Sequence, residues 1–281
     1  MFIKQTEIFE FFKIVYLLLL QNSKSMSFDS KNGSIQVKIE NKIATITFGN
    51  ATSNSFPSTL LRELTTVFGQ LSQNNDVNIV VLQSHGEKVF CSGASFDELL
   101  LISNFEQGKT FFEGFANVIN AMRCCSKIIV GRVHAKAVGG GVGLASACDY
   151  VFATKNASIK LSELAIGIGP FVIEPAVSRK IGNTATTALT LDATNWKSAQ
   201  WAHEKGLFTE VFETKTLMQE ALNTFTNQLS NYNIEALVAL KKLFWQNTDH
   251  WETLLPERAA ISGELILSEF SKNALQIFKS K

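Results

Sequence analysis

The chain of 281 residues has almost no excess charge of either sign. Lysine and arginine total 26, aspartate and glutamate total 25, and charged residues make up 18% of the sequence. Proteins that attract nucleic acid or an anionic membrane through a broad field need clustered basic residues. We therefore expect no nucleic-acid partner and no stable membrane association. A small anionic ligand is still compatible with this composition, because it needs only a few local cations.

Cysteine and histidine are scarce, with four residues of each. The cysteines show no spacing typical of a disulfide framework, and the histidines form no metal-ligand pattern with them. We expect no metal site, and a reducing cytoplasm is the simplest location. The cysteines are Cys91, Cys124, Cys125 and Cys148.

The N-terminus lacks an apolar run long enough for a comfortable transmembrane helix. The apolar stretch at residues 8–20 is interrupted by Glu10 and Lys13, and a spanning helix needs about 20 apolar residues. The stretch resembles part of a signal peptide, but no small-residue cleavage site follows. Since Met26 precedes a clean strand pattern, we interpret residues 1–25 as an upstream-start artefact or an unfolded extension. A membrane tether is the alternative.

Strand and helix patterns alternate from residue 34 onwards. Such alternation predicts an α/β core with a parallel sheet flanked by helices. After about residue 184 the pattern is almost wholly helical. We expect a core over residues 26–195 and a helical region over residues 196–281. The predicted strands are residues 34–40, 43–48, 77–83, 128–133 and 150–154, and the predicted helices include residues 60–71 and residues 97–123, with a break near Gly108.

The most informative stretch is VGGGVG at residues 138–143, which follows an apolar strand pattern and begins an apolar helical run. Glycine permits positive φ and lets a ligand approach the main chain. A helix N-terminus presents free N–H groups to an anion. The stretch lacks the spacing of a dinucleotide fingerprint, and no Lys-Ser/Thr follows as in a P-loop. A tight strand-to-helix connection without a ligand is the alternative.

A second glycine turn follows the strand predicted at residues 77–83. In a parallel sheet both turns lie beyond the carboxyl ends of strands, where α/β proteins bind ligands. One backbone N–H from each turn can then converge on a single carbonyl oxygen. Such an oxyanion hole contributes about 2.7–4 kcal/mol per donor to transition-state stabilisation.

These motifs resemble those of the crotonase superfamily, the enoyl-CoA hydratases and isomerases. The resemblance extends from about residue 34 to about residue 278. It implies a ββα-spiral core, a helical trimerisation region, a homotrimer or dimer of trimers, and an acyl-CoA thioester substrate without a further cofactor. The matching segments are FCSGASFDEL at residues 90–99, VHAKAVGGGVGLASACD at residues 133–149 and IKLSELAIGIGP at residues 159–170.

The resemblance also assigns roles to individual residues. The N–H groups of Ala94 and Gly140 correspond to the family's oxyanion donors. The segment from Ser92 to Phe96 is expected near the adenine of CoA. Lys88 is expected to meet a CoA phosphate, with a solvated loop lysine as the alternative. Phe278 in the last helix is expected to close the CoA site, with a plain amphipathic terminal helix as the alternative.

The chain departs from the best-known hydratases at the acid/base positions. Those enzymes carry two glutamates that hold one water between them. The second corresponds to Glu163, whereas the first corresponds to Gly143. The apolar neighbours of Glu163 predict a raised pKa. The alternative is a helix-start glutamate paired with a backbone N–H or a surface cation, and Glu174 is a weaker acid/base candidate.

Gly143 and Phe171 are the residues predicted to shape the acyl pocket. Together with the LSE segment at residues 161–163, they resemble a branch of methylglutaconyl-CoA and other branched-acyl hydratases, which serve leucine breakdown. Phe171 stands where the commonest pattern has glycine. This exchange implies a pocket for a short or branched acyl group.

Three functions fit the sequence. Our first expectation is hydration of a 2-enoyl-CoA, in which Glu163 activates water and then returns a proton to the α-carbon. The second is Δ3–Δ2 isomerisation, which needs only one base. The third is a non-catalytic acyl-CoA-binding subunit, because a fold does not fix a function.

Overall fold

The computed structural model describes residue 28 and residues 30–279, in which strands and helices alternate. The predicted extension at residues 1–25 lies outside the described residues. The strands are β1 (Ser34–Glu40), β2 (Ile43–Gly49), β3 (Ile79–Ser84), β4 (Val89–Cys91), β5 (Ile128–Val133), β6 (Lys136–Val138), β7 (Tyr150–Thr154), β8 (Ser158–Lys160), β9 (Lys197–Ser198) and β10 (Glu210–Phe212). The helices are α1 (Ser58–Gln73), α2 (Phe96–Leu99), α3 (Phe105–Cys124), α4 (Gly140–Ala147), α5 (Glu174–Leu191), α6 (Ala199–Glu204), α7 (Lys215–Ser230), α8 (Ile234–Phe244), α9 (Trp251–Leu265) and α10 (Glu269–Lys279), and a 3-10 helix, Glu163–Ile166, follows β8.

The larger sheet has the order β1-β2-β3-β5-β7-β10. Only β1 is antiparallel to its neighbour; the other pairs are parallel, as the βαβ alternation predicts. Asn41 and Lys42 join β1 to β2 with φ of 50° and 63°, because a two-residue hairpin needs positive φ at both turn positions. Helices cover both faces of this sheet, α1 and α3 on one and α7 and α8 on the other.

A second sheet of four short strands has the order β4-β6-β8-β9. The sequence patterns do not predict it, because strands of two or three residues are too short to show periodicity. The chain passes from the larger sheet to the smaller one after β3, β5 and β7, and each passage is followed by a helix. This repeated strand-strand-helix path is the ββα spiral expected from the resemblance.

The helical prediction for residues 97–123 is wrong about where the helix breaks. The break falls between α2 and α3, and α3 begins after Asn104, whose side chain accepts a hydrogen bond from the N–H of Gln107. Gly108 lies inside α3. A methyl group placed on it would come within 2.7 Å of the carbonyl oxygen of Gly263 in α9. Glycine is present there so that the two helices can approach, and it does not end the helix.

The C-terminal helices share the core of the spiral. Trp251, Leu255 and Ala259 of α9 belong to the same buried cluster as residues of the larger sheet. The prediction of an almost wholly helical region also missed β9 and β10, which extend the two sheets. The division at residue 195 and the trimerisation role stay predictions. No helix in the described part of the chain has both the length and the apolarity that a membrane crossing requires.

Asp149 fastens α8 to the sheet. Its carboxylate accepts hydrogen bonds from Lys241 Nζ at 2.7 and 3.0 Å and from Trp245 Nε1 at 2.7 Å. It also accepts one from the backbone N–H of Ile129 at 2.7 Å. Both charged side chains are almost fully buried. Removing one partner would therefore leave an uncompensated buried charge.

We predict that Gly108→Ala destabilises the protein although alanine is the better helix former. The added methyl group has to push α3 and α9 apart, and overpacking of this kind costs about 1–3 kcal/mol. Gly69→Ala is the matched control, because Gly69 also lies within a helix but has no neighbouring atom within 4 Å of the new methyl group. That control should gain about 0.5–1 kcal/mol. Urea unfolding of both variants tests this, and equal stabilisation of the two would contradict the predicted contact.

Candidate active site

The three segments singled out from the sequence meet at one edge of the smaller sheet. Strands β4, β6 and β8 are parallel neighbours, with Cys91 opposite Ala137 and Val138 opposite Lys160. Because the carboxyl ends of parallel neighbours lie at the same edge, the two glycine turns and Glu163 emerge side by side. The prediction that the turns leave the strands at residues 77–83 and 128–133 is thus wrong about the sheet. It is right about the parallel geometry.

The first turn directs the N–H of Ala94 towards the site. Phe56 N donates to Gly93 O at 2.7 Å, and Ser95 N donates to Phe56 O at 3.0 Å. These two bonds form a parallel β-bridge, in which the N–H of Ala94 points away from Phe56. The Ala94 N–H has no acceptor among residues 30–279. Gly93 has φ of 87°, which glycine adopts without strain.

The second turn presents the N–H of Gly140. Gly139 has φ of 52° and donates its own N–H to Lys160 O at 2.9 Å. Gly140 is the first residue of α4, where N–H groups have no acceptor within the helix. Its N–H has none elsewhere in the described chain, so it is available to a ligand together with the positive end of the helix dipole.

The two turns are packed so closely that neither admits side chains at the contact. A methyl group on Gly93 would lie 3.4 Å from Gly140 N. One on Gly141 would lie 2.7 Å from Cys91, and one on Gly140 only 2.2 Å from the ring of Phe115. The two free donors are therefore neighbours, as an oxyanion hole requires. Burial raises the pKa of Cys91 to about 12, which excludes this thiol as a nucleophile.

Glu163 is the first residue of the 3-10 helix, and its carboxyl group lies against the second turn. A methyl group on Gly139 would come within 2.7 Å of Glu163 Oε1. Glu163 Oε2 is buried and has no hydrogen-bond partner among the described residues. Burial raises the pKa of Glu163 to about 7, and a bond to its own backbone N–H offsets only part of that rise. Glu163 forms no ion pair in the described chain, so the surface-pair alternative is wrong.

Around these groups lies a largely apolar pocket of about 560 Å³, counted out to its solvent opening. Glu163 is the only ionisable side chain among its described lining residues. A carboxylate in such surroundings is poorly solvated and suited to proton transfer near neutral pH. The apolar lining consists of Ala94, Phe96, Leu99, Phe112, Phe115, Val138, Ile166, Ile168, Pro170, Phe171, Val172 and Ile173.

The other predicted ligand-binding residues divide into two groups. Ser92 and Phe96 line the pocket. The ring of Phe278 packs on that of Phe96 with centroids 5.9 Å apart, so the last helix does lie beside the site. Lys88, by contrast, is exposed and outside the pocket lining, and its contact with a CoA phosphate stays a prediction.

The weaker acid/base candidate, Glu174, does not reach the pocket. Its carboxylate pairs with Arg258 and accepts a hydrogen bond from Ser178, and it lines a separate, polar depression. It is therefore corrected to a structural ion-pair residue.

Gly143 is not part of the pocket wall, which corrects its predicted role. It is buried, and a methyl group on it would lie 2.5 Å from Cγ2 of Ile173. Ile173 does line the pocket, as does Phe171. Ile173 thus occupies the space into which a glutamate at position 143 would extend. No second carboxylate is present beside Glu163 in the described chain.

Sequence reasoning missed several residues of the pocket wall. Phe112 and Phe115 come from α3, Ser262 from α9 and Ile173 from the segment before α5. Phe112, Phe115 and Ser262 lie in no motif, whereas Ile173 follows the segment at residues 159–170 by three residues. The apolar spacing of Phe112 and Phe115 within α3 indicates burial without saying what is buried against them.

The comparisons with known proteins agree with the fold and identify the family. The family model described as Enoyl-CoA hydratase/isomerase matches residues 38–281. The short-chain-enoyl-CoA hydratase of Clostridium acetobutylicum is 28% identical over 244 residues, 86% of this chain and 93% of its own length. A peroxisomal Delta(3,5)-Delta(2,4)-dienoyl-CoA isomerase of Arabidopsis thaliana is 26% identical over 202 residues, 66% and 71% of the two chains. The crystal structure of an enoyl-CoA hydratase from Bacillus halodurans has the same fold, with a TM-score of 0.81 at 21% identity over 86% of this chain and 99% of that one.

We predict that Glu163→Gln makes the protein more stable at pH 8. A folded-state pKa of about 7 against the usual 4.5 means that folding favours the protonated acid. The stability this residue contributes is complete below about pH 4.5 and is lost as the pH rises through 7. The wild type should then carry a cost of at most about 3 kcal/mol at pH 8, which glutamine avoids.

Unfolding free energies at pH 5 and pH 8 measure this effect. Glu257→Gln, at an exposed position of α9, is the control and should change stability by less than about 0.5 kcal/mol. If Glu163→Gln differed from the wild type equally at both pH values, the carboxyl group would not be desolvated.

Proposed function

Because the chain belongs to the enoyl-CoA hydratase/isomerase family and so acts on acyl-CoA thioesters, we propose that it hydrates a 2-enoyl-CoA. The observation that supports this most is the single desolvated carboxylate of Glu163 beside two free backbone donors. Ala94 and Gly140 form the proposed oxyanion hole, and Glu163 is the proposed acid/base. The chemistry needs no group beyond the substrate's own CoA.

The oxyanion hole acts on the thioester oxygen. As the α-carbon gains enolate character, negative charge builds up on that oxygen. Two fixed N–H groups then stabilise it without reorganising, and the N-terminus of α4 adds its dipole. These donors interact more strongly with the enolate than with the neutral thioester, which is the condition for accelerating the reaction.

Glu163 serves both proton transfers of hydration. The carboxylate takes a proton from water while the water oxygen bonds to the β-carbon and the double-bond electrons move towards the thioester. The protonated acid then returns that proton to the α-carbon, so one water is added in total. A pKa of about 7 keeps both protonation states accessible near neutral pH.

Isomerisation of a 3-enoyl-CoA is the second candidate, and the position of Ile173 favours it. Its side chain fills the space of a second carboxylate, so Glu163 alone would have to hold the water that hydration requires. Isomerisation needs no water. One base takes a proton from the α-carbon, and the same acid returns it to the γ-carbon of the dienolate, which the same oxyanion hole would stabilise.

We further propose a short, uncharged acyl group. Phe171 and Ile173 narrow the apolar wall, and one relative is described as a short-chain hydratase. A methylglutaconyl group carries a carboxylate, but the described lining contains no lysine, arginine or histidine to pair with it. The methylglutaconyl specificity and the link to leucine breakdown therefore have no support in the pocket's charge.

A homotrimer is the proposed assembly. The C-terminal helices expose several large apolar side chains that a neighbouring subunit would cover. Those on α8 and α10 are Leu240, Leu243, Phe244, Phe270, Ile277 and Phe278.

We predict that Glu163→Gln lowers kcat on crotonyl-CoA by at least about 100-fold with little change in KM. In the wild type, kcat/KM should rise with pH through about 7, because only the carboxylate can take a proton from water. Steady-state kinetics from pH 5.5 to 9 measure both effects, with Glu257→Gln as the control. Full activity of Glu163→Gln would rule out the proposed acid/base.

We predict that products formed from crotonyl-CoA in oxygen-18 water carry the label at the β-carbon. Mass spectrometry of the 3-hydroxyacyl product detects it, and 3-hexenoyl-CoA is tested in parallel. Unlabelled 2-hexenoyl-CoA as the dominant product would establish isomerisation instead. Tight binding of both thioesters with no turnover would establish a binding subunit.

A further inference from the structure

We propose that Arg258 is a positioning residue for the acyl pocket. Through the carbonyl of Phe171 and the carboxylate of Glu174 it holds the wall segment, residues 171–174, of which Phe171, Val172 and Ile173 line that pocket. The inference rests on the proposed function, because it concerns where the acyl chain of that substrate lies.

The wall segment presents different groups on its two sides. The side chains of Phe171 and Ile173 line the acyl pocket. On the other side, Arg258 Nη1 donates to Phe171 O at 3.3 Å and to Oε2 of Glu174. Ser178 donates its hydroxyl to the second carboxylate oxygen, Oε1. Arg258 thus contacts the backbone of Phe171 directly and the other end of the segment through the side chain of Glu174.

Val172 and Ile173 of this segment are buried in the core, whereas Phe171 and Glu174 at its two ends are only partly buried. The segment lies between the 3-10 helix and α5, and its local hydrogen bonds run from Ile173 N and Glu174 N to Pro170 O, at 3.1 and 2.8 Å. Behind it is the open polar depression lined by Glu174, Ser178 and Arg258. Contacts across that depression therefore add a restraint at Phe171 and Glu174, the two partly buried ends of the segment.

The arginine is carried by an element that is itself fixed. Arg258 and Ser262 lie one turn apart on α9, and Ser262 lines the pocket. The next residue, Gly263, is in backbone contact with Gly108 of α3. Helix α9 is therefore held in place against α3, and Arg258 connects α9 to the wall segment.

The ion pair between Arg258 and Glu174 fixes the position of the wall segment more than it stabilises the protein. Both side chains are nearly one-third exposed, and pairs of that kind add little to global stability. A planar guanidinium, however, holds its acceptors in fixed directions, whereas a lysine ammonium is a flexible point charge. Glu174 is also the first residue of α5, where the helix dipole favours a carboxylate. Loss of the ion pair is therefore expected to change the length of the acyl chain that the pocket accepts.

The test compares Arg258→Gln, Arg258→Lys and Glu174→Gln with the wild type and with Arg62→Gln, an exposed arginine on α1. Calorimetry gives dissociation constants for the unreactive butyryl-CoA and octanoyl-CoA. Kinetics give kcat/KM for crotonyl-CoA and 2-octenoyl-CoA. We expect the preference for the short chain to fall about tenfold in all three test variants, as for misfitting methylenes in an apolar pocket. Arg62→Gln should keep the wild-type ratio.

Two further readouts separate positioning from a general loss of structure. The double variant Arg258→Gln/Glu174→Gln should lose no more selectivity than either single variant, because both changes release the same wall. The pH profile of kcat/KM, which reports Glu163, should not move. An unchanged chain-length ratio in Arg258→Gln and Glu174→Gln would overturn the inference, as would a wild-type ratio in Arg258→Lys. A wild type that binds neither thioester would instead overturn the proposed function.

Discussion

The candidate site depends on a steric constraint between two glycine turns. Strands β4 and β6 end so close together that a methyl group on Gly141 would meet Cys91 at 2.7 Å, and one on Gly93 would lie 3.0 Å from the carbonyl oxygen of Val138. This approach makes neighbours of the N–H groups of Ala94 and Gly140. Without it, each turn would offer one isolated donor. The smaller sheet therefore creates the site, although its strands are only two or three residues long.

Much of the site could be predicted because its parts have local signals. The glycine turns require positive φ or close approach, and a glutamate in an apolar segment has a predictable shift in pKa. The short strands β4, β6 and β8 carry no such signal, so the turns were assigned to the wrong sheet. The prediction that they meet is nevertheless correct in outcome, because parallel strands bring their carboxyl ends together in either sheet.

Glycines that pack against residues distant in sequence cannot be interpreted from the sequence alone. The sequence predicts a helix break near Gly108 and a role for Gly143 in shaping the acyl pocket. In the structure a neighbouring residue occupies the space that a side chain at each position would need. That neighbour is Gly263 for Gly108 and Ile173 for Gly143. A missing side chain says that something approaches. Only the fold identifies the partner, since Gly263 and Ile173 are both far in sequence from the glycines that they contact.

The contact between Gly143 and Ile173 also determines why the pKa of Glu163 is raised. Two adjacent carboxylates would repel one another and raise the pKa of one of them through charge. Here the side chain of Ile173 occupies the position of the second carboxylate, so desolvation is the main cause of the rise in the pKa of Glu163 to about 7. The result is one carboxyl group whose proposed role is to transfer a proton to the α-carbon in hydration or from it in isomerisation. What distinguishes the two reactions is whether water is held at the β-carbon, and that depends on the space left between Glu163 and the wall formed by Phe171 and Ile173.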